Sequence, residues 1–495
     1  MENHRQKKRT KIIWRGFVYR LIILSLIGIF SYAGFLLYKV YKLEKTIYVE
    51  SAKTQSADQS SSSSLAETAK NFISGERLKL KGEERGRINI LLLGMGGEGH
   101  KGEHLTDTIM VASINPETYE TAFLSIPRDL FVKIPGQHAS TRINAIFAYG
   151  LRNQSAGKSK AVSMIREAVE NVTGQPIDYY AMLDFKGFKE IINELGGIRI
   201  NVEEDIVDHR YPGPNYSYQT FRIDKGSHLL DGETALKYAR VRHASGGDFA
   251  RARRQQKVIA ASKRKAFALN NFLNPNRING LFSSLENHLI TNVKLSEIPS
   301  FLSLANKINI YNTTNRVLDA WSADSLLSVD HVMMGGIRAF VLRPRTGNYN
   351  EIHSLTENIF QLNEIKRQEE EIKKEKAKIK IISNNQTNLQ KAVKLLRKMD
   401  YQVNTGEIEN SRLSCDREIR IYDNSSGKLF TLNDLANKFD TEVQKRSARD
   451  EADILLCLPG NDLDFLSSEE SQDKYSEEER KSIIDEKGNV IYNQD

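Results

Sequence analysis

Between Leu21 and Tyr38 the chain reads "LIILSLIGIFSYAGFLLY", eighteen residues without a charge. Wound as a helix, a run of that length nearly matches the hydrocarbon core of a bilayer, about 30 Å. Trp14, Tyr19, Tyr38 and Tyr41 flank it, where interfacial aromatic residues belong. The run therefore predicts a transmembrane helix, and everything else must fold on one side of a membrane or the other. A cleaved signal peptide would usually have a shorter apolar region, and Tyr38-Lys39 is a poor small-residue cleavage site. The first twenty residues hold seven Lys or Arg and one Glu, whereas Lys39, Lys42 and Lys45 are the nearest cations after the run. By the positive-inside rule the N-terminus is expected in the cytoplasm and the bulk of the chain outside, at the cell membrane.

That basic tail accounts for six of the formal net charge of +8, so the rest of the 495 residues is nearly balanced. This argues against a globally basic nucleic-acid binder, and no nucleic-acid partner is expected. The length suits two domains. Only two cysteines occur, Cys415 and Cys457, without a metal-binding spacing. Cys457 lies in the apolar run "DILLCLP", where a buried free thiol is expected, although a disulfide outside the membrane is possible.

From residue 39 to 85 the sequence is polar and centred on "SADQSSSSSLAE", which suits a stalk. A large unit follows over 86–345. "RINILLLG" reads as a strand, and the two runs hinged at "NPETYE" read as a hairpin. "KSKAVSMIREAVENVTG" and "DFKGFKEIINELGG" have helical spacing and glycine stops, and "IRINV" reads as another strand. Residues 346–377 form a charged helical linker. Strands and amphipathic helices then alternate over 378–466 in a compact α/β module, and 467–495 is an acidic tail read as disordered. The expected class is α/β (α+β): a mixed central sheet flanked by helices, preceded by one transmembrane helix and followed by the small α/β module.

Four clusters could carry chemistry. "GMGGEGHKGEHLTDTI" is a glycine-rich loop after a strand that lacks the Gly-Lys-Ser/Thr of a P-loop. It ends at Asp107, a strand entry where a carboxylate is held rigidly, and Glu98, Glu103 and His100 lie within it. "SIPRD" puts Arg128 and Asp129 at a strand end, and "TRINAIFAYG" carries Arg142 and Asn144. "YARVRHASGGDFARARRQQK" adds five arginines between Arg240 and Arg254. Read as extended chain, "YARVR" projects Arg240 and Arg242 to one side. After "SGG" a helix with Asp248 as its cap would place Arg251, Gln255 and Val258 on one face and Arg253 and Lys257 on another. A single arginine in such a place is ordinarily a surface ion pair. Together, guanidinium forks and a carboxylate make the combination a magnesium diphosphate needs.

In order along the chain, "DTIMVASINPET", "SIPRD", "RINAIFAYG", "PIDYY", "ELGGIRINVEEDI", "LDGETALKYARVRH" and "GDFARARRQQ" resemble the LytR-CpsA-Psr family of envelope enzymes. The likeness covers about Arg87 to Arg345, and the segment from Lys378 to about Phe465 is similar to the C-terminal domain often appended to that family. The resemblance implies a membrane-anchored phosphotransferase that takes a glycopolymer from a polyprenyl-diphosphate carrier and joins it by a phosphodiester to a hydroxyl of peptidoglycan. It implies Asp107 as a ligand of magnesium; His100, as a further neutral ligand, would point instead to a softer ion such as manganese or zinc. Arg128, Arg240, Arg242 and Arg251 would hold the diphosphate, and Gln255 and Arg142 would complete the cradle. Asp129 would orient Arg128 or take the acceptor proton. The prenyl tail needs an apolar slot, for which the helices at Ser163–Val172 and Phe185–Leu195 are candidates.

The chain also departs from the family pattern. Many members read Gly-Val-Asp after the first strand and Arg-Ser-Asp before the hairpin, whereas here stand "GMG" (Gly94 to Gly96) and "LTD" (Leu105 to Asp107). One usual magnesium carboxylate and one arginine are missing. Two rival functions follow: a sensor that binds polyprenyl diphosphates without turnover, and a hydrolase that only cleaves them.

Overall fold

The computed structural model describes Thr46, Tyr48 and residues 78–463, with interruptions at 101, 153–156, 214–216, 242–246, 267–284, 287, 309–312, 323–324, 406–417, 425–426, 447–451 and 462. The run Leu21–Tyr38, Arg242, Cys415 and the acidic tail lie outside the described residues. Among the described residues no helix is long and apolar enough to cross a membrane.

The large unit is built on a six-stranded sheet of β1 (Ile88–Met95), β2 (Thr106–Ile114), β3 (Thr121–Ile126), β4 (Tyr179–Asp184), β5 (Leu289–Thr291) and β6 (Thr313–Val317). The order is β5-β4-β1-β2-β3-β6. β1 is parallel to β4 and antiparallel to β2, β3 is antiparallel to β2 and parallel to β6, and β5 is antiparallel to β4. The sheet is therefore mixed, as expected. Successive side chains of "INILLLGM" alternate between two buried faces, which is why the strand is apolar except at Asn89. Leu91, Leu93 and Met95 face a core shared with Phe147, Ile165 and Val169. Ile88 and Ile90 face the other way, against Tyr179 and Leu304. β2 and β3 form the hairpin read at "NPETYE", closed by Asn115 N donating to Glu120 O at 2.9 Å.

Helices α1 (Ile146–Arg152) and α2 (Gly157–Thr173) cover the first face. In α2, Val162, Ile165, Val169 and Val172 recur at helical spacing and are buried, so the apolar residues between Ser163 and Val172 belong to the core. Helix α3 (Phe185–Glu194) starts where Asp184 accepts from Gly187 N at 2.8 Å. A second core joins Ile192, Ile198, Tyr238 and Val258, under helices α4 (Gly232–Arg240) and α5 (Gly247–Ala266).

These two helices correct the reading of "YARVR". Arg240 is the last residue of α4 and not part of an extended chain, so the alternation that was to align it with Arg242 is absent there. Asp231 caps the helix by accepting from Thr234 N at 2.8 Å, and Ala235, Tyr238 and Ala239 bury one face through to its end. Helical periodicity thus prevails over a two-residue alternation too short to specify a strand. Likewise α5 begins at Gly247, so Asp248 is its second residue and not the residue before it.

A hairpin of β7 (Leu327–Met334) and β8 (Ile337–Pro344) projects beyond the sheet, and helix α6 (Asn350–Glu357) adds Ile352 to the main core. Helix α7 (Leu362–Glu375) leads to the small unit, with β9 (Lys378–Ser383), α8 (Gln386–Lys398), β10 (Gln402–Thr405), β11 (Arg420–Asp423), α9 (Leu429–Phe439), β12 (Val443–Lys445) and β13 (Ile454–Leu458). Its sheet order is β10-β9-β13-β11-β12. Cys457 is buried in β13 and is disulfide-bonded, which corrects the expectation of a free thiol.

The two units meet through α6 and α9. Arg345 donates to both oxygens of Glu351, at 2.8 and 2.7 Å, while Lys438 of α9 lies 3.5 Å from Glu351 Oε1 and donates to Asp434. Asn348 and Asn350 donate to the Lys438 and Asn437 carbonyls at 2.9 Å.

Candidate active site

One end of the large sheet gathers the carboxyl ends of β1, β3 and β4 and the start of β2. Met95 is paired with Thr106 on one side and Asp184 on the other, and Ile126 lies opposite Ile109. Open α/β sheets bind ligands beyond the carboxyl ends of their strands. Asp107, the second residue of β2, and Arg128, two residues past β3, both stand at this end.

Asp107 Oδ1 accepts from Arg128 Nη1 at 3.1 Å and from Asn144 Nδ2 at 3.2 Å; neither bond engages Oδ2. Arg128 Nε donates to Asp129 Oδ2 at 3.4 Å, and Asp129 Oδ1 lies 3.5 Å from Arg142 Nε. Four charged groups thus form one chain: Asp107, Arg128, Asp129, Arg142. Arg142 also donates from Nε and Nη2 to the Phe340 carbonyl of β8, at 3.0 and 2.7 Å, which fixes its guanidinium against the hairpin. Helix α5 approaches from the other side, where Gln255 Nε2 donates to Thr108 Oγ1 at 3.4 Å, one residue from Asp107. Arg251 sits one turn earlier on α5, on the face of Gln255 and the buried Val258.

Arg240 is held by aromatic rings. Its guanidinium stacks 4.3 Å from the Phe185 centroid, lies 5.6 Å from that of Tyr211, and donates to the Tyr211 hydroxyl at 3.3 Å. Burial pushes the Tyr211 hydroxyl above its ordinary value, against the pull of Arg240. Phe185 also meets the edge of His100, ring centroids 5.4 Å apart, so Arg240 is joined to the glycine-rich loop. As partners of Arg240, Tyr211 and Phe185 leave no trace in the sequence, because an aromatic far along the chain from its cation carries no local signal.

The glycine-rich loop closes on itself, with Gly97 N donating to Glu103 O at 3.0 Å. Gly97 needs its φ of 78°, and a Cβ there would stand 2.8 Å from Asp184 Cβ. Glu103 pairs with His104 at 3.1 Å. Among the described residues no group of three or more His, Cys, Asp or Glu could hold a metal ion.

Among the remaining arginines, Arg253 is exposed, on the side where Lys257 pairs with Glu203 at 2.8 Å. Arg254 is buried and donates from Nη2 to the Val241 carbonyl at 2.6 Å. It therefore pins the residue after Arg240, and burial lowers its guanidinium from the ordinary value.

The profile of the LytR_cpsA_psr family matches residues 40–329, more than half of the chain. The chain belongs to the LytR_cpsA_psr family. Among curated relatives, it is similar to the polyisoprenyl-teichoic acid–peptidoglycan teichoic acid transferase TagU of Enterococcus faecalis, 33% identical over 190 residues, 38% of this chain and 56% of the relative. That match thus spans little more than half of the relative's length. The protein of the same name from Bacillus licheniformis is 26% identical over 305 residues, 60% of this chain and 83% of the relative. Among solved structures, Bacillus subtilis TagV aligns with 55% of this chain and 96% of its own, at 25% identity and a TM-score of 0.42.

In this LytR_cpsA_psr protein, then, the predicted residues Asp107, Arg128, Asp129 and Arg142 are linked one to the next. Gln255 joins them through Thr108, Arg240 stands in its own aromatic clasp, and Arg242 lies outside the described residues. At Gly96 a Cβ would meet His100 Cβ at 3.0 Å. The role of Arg254 is testable. Arg254→Met should cost about 1–3 kcal/mol in urea unfolding, because the Val241 carbonyl loses its donor, whereas Arg253→Met should be nearly neutral.

Proposed function

We propose that the chain is a membrane-anchored phosphotransferase that moves a glycopolymer from a polyprenyl-diphosphate carrier onto a hydroxyl of peptidoglycan. The observation that carries this reading is the linked chain Asp107–Arg128–Asp129–Arg142 at the sheet end, with Gln255 brought beside it. The names of the TagU relatives support the same substrate classes. The anchor is the apolar run Leu21–Tyr38, with the large unit outside the cell.

The chemistry is displacement at phosphorus. The acceptor hydroxyl attacks the phosphorus that bears the sugar, a new P–O bond forms, and the bond to the bridging oxygen breaks. Polyprenyl phosphate departs and the hydroxyl proton is released. Catalysis is then positioning and charge neutralisation. Arg128 and Arg240 hold phosphate oxygens through planar forks. With a guanidinium facing each oxygen, Asp129 is better suited to orient Arg128 and Arg142 than to accept the proton.

Asp107 would hold magnesium. A single carboxylate at an open sheet end suits that ion, which keeps several waters and takes further oxygens from phosphates; manganese would fit the same oxygen donors. The ion would supply positive charge against the diphosphate. Asp107→Asn should shift the magnesium dependence of transfer to higher concentration, read from initial rates, while Glu98→Gln and Glu103→Gln should leave it in place. An unchanged curve for Asp107→Asn would remove the metal assignment.

The arginines offer a sharper contrast. Arg240→Lys keeps the charge but loses the fork and the flat stack on Phe185, so transfer should fall about tenfold to a hundredfold, the equivalent of roughly 1.5–3 kcal/mol. Arg253→Lys should change it less than about twofold. Equal losses at both positions would contradict the reading. The glycine at position 96 favours one rival, a sensor that binds without turnover; it predicts lipid binding and no product at any magnesium concentration.

A further inference from the structure

The β7–β8 hairpin ends in "VMMGGI", Val332 to Ile337, six residues with no charged or hydrogen-bonding side chain. Met333 is 69% exposed and Ile337 62%. Paired residues of an antiparallel ribbon share a face and successive residues alternate. Met334 pairs with Ile337 and Val332 with Ala339 on one face, and Met333 pairs with Arg338 on the other. The turn is Gly335-Gly336, with φ of 59° and 84°. Each face of the tip thus carries an exposed apolar side chain, Ile337 on one and Met333, beside Arg338, on the other. A ribbon that docks on a protein surface needs one apolar face, whereas one that dips into an apolar phase needs two.

The surroundings fit a lipid surface. Arg338 is exposed beside the tip, where a cation would meet anionic headgroups. The base of the hairpin is tied to the candidate site, through Arg142 on the Phe340 carbonyl and Leu342 N donating to Asp129 O at 2.9 Å.

We infer that the hairpin tip, Met333 to Ile337 with Arg338, inserts shallowly into an anionic lipid surface and sets the depth of the candidate site. The choice of lipid over a protein partner rests in part on the proposed lipid-linked substrate and on the apolar run Leu21–Tyr38. The two-sided tip is the independent observation. Insertion stops at the boundary of headgroups and acyl chains, because the outer edges of a two-stranded ribbon keep unpaired backbone groups that need water.

The test uses the full chain, whose two tryptophans are removed as Trp14→Phe and Trp321→Phe. One new indole is added by Met333→Trp, by Ile337→Trp, or at a remote exposed site by Leu229→Trp. Each protein is reconstituted in phosphatidylglycerol vesicles with or without brominated acyl chains and without any polyprenyl lipid, so the outcome does not depend on transfer. Brominated chains should quench the two hairpin indoles about twofold and leave the remote one unchanged. Adding Ile337→Glu to the Met333→Trp chain should abolish the quenching. Hairpin indoles that stay unquenched, whether water-like in emission or blue-shifted by contact with another protein copy, would overturn the inference.

Discussion

Arg128→Ala should slow transfer by about a hundredfold to a thousandfold, the scale expected when one preorganised donor to developing charge is removed. Arg128 is the only group that contacts both Asp107 and Asp129 among the described residues, at 3.1 and 3.4 Å. Its loss has two effects in the same direction. A phosphate ligand is removed, and Asp107 and Asp129 each lose one cationic partner beside an anionic substrate. Arg128→Lys restores charge without the fork and should recover part of the rate. The side chain is about one-third exposed, so the fold should survive, and thermal unfolding should move little. A rate within about threefold of the parent would mean that the chain of charges is structural and that the chemistry lies elsewhere.

Glu351→Ala should cost about 3–5 kcal/mol in denaturant unfolding, because it leaves Arg345 and Lys438 buried without their shared carboxylate. All three side chains are largely buried at the junction of the two units. Burial alone would raise the Glu351 carboxyl, but Arg345 and Lys438 together outweigh it and hold the group below its ordinary value. The sign is fixed by that depression. The stabilisation is fully present above the unfolded carboxylate range, about pH 4.3, and is lost as pH falls through the lower folded value. Asp434 works the other way: burial raises it despite Lys438, so in the folded state it takes up its proton at higher pH than Glu351. Loss of Glu351 should also loosen the small unit, seen as faster proteolysis in the α7 linker. A cost below about 1 kcal/mol would mean that the junction is held by its asparagines instead.

Features read in the sequence were those whose signal is local. The β2–β3 hairpin was legible because two apolar runs flank a turn-rich hinge, and α2 because four apolar residues recur at its period. Asp107 and Arg128 stood out because each sits at a strand end, and the sheet then brings those ends together. "YARVR" misled because two alternations fit a strand as well as a helix end; the deciding features, the Asp231 cap and the burial of Ala235 and Tyr238, lie outside the motif. The clasp around Arg240 was invisible for a different reason. Phe185 and Tyr211 come from elements 55 and 29 residues away, and only the tertiary fold joins them. Glu351 in "NYNEIHSL" reads as any surface charge until α9 covers it.

The central claim concerns products. The full chain in lipid nanodiscs should be given magnesium, a polyprenyl-diphosphate-linked saccharide and peptidoglycan fragments, and the mixture resolved by mass spectrometry. The account predicts a saccharide–peptidoglycan phosphodiester and polyprenyl phosphate in equal amounts. Free phosphosaccharide without conjugate, or bound lipid without any product, would contradict it.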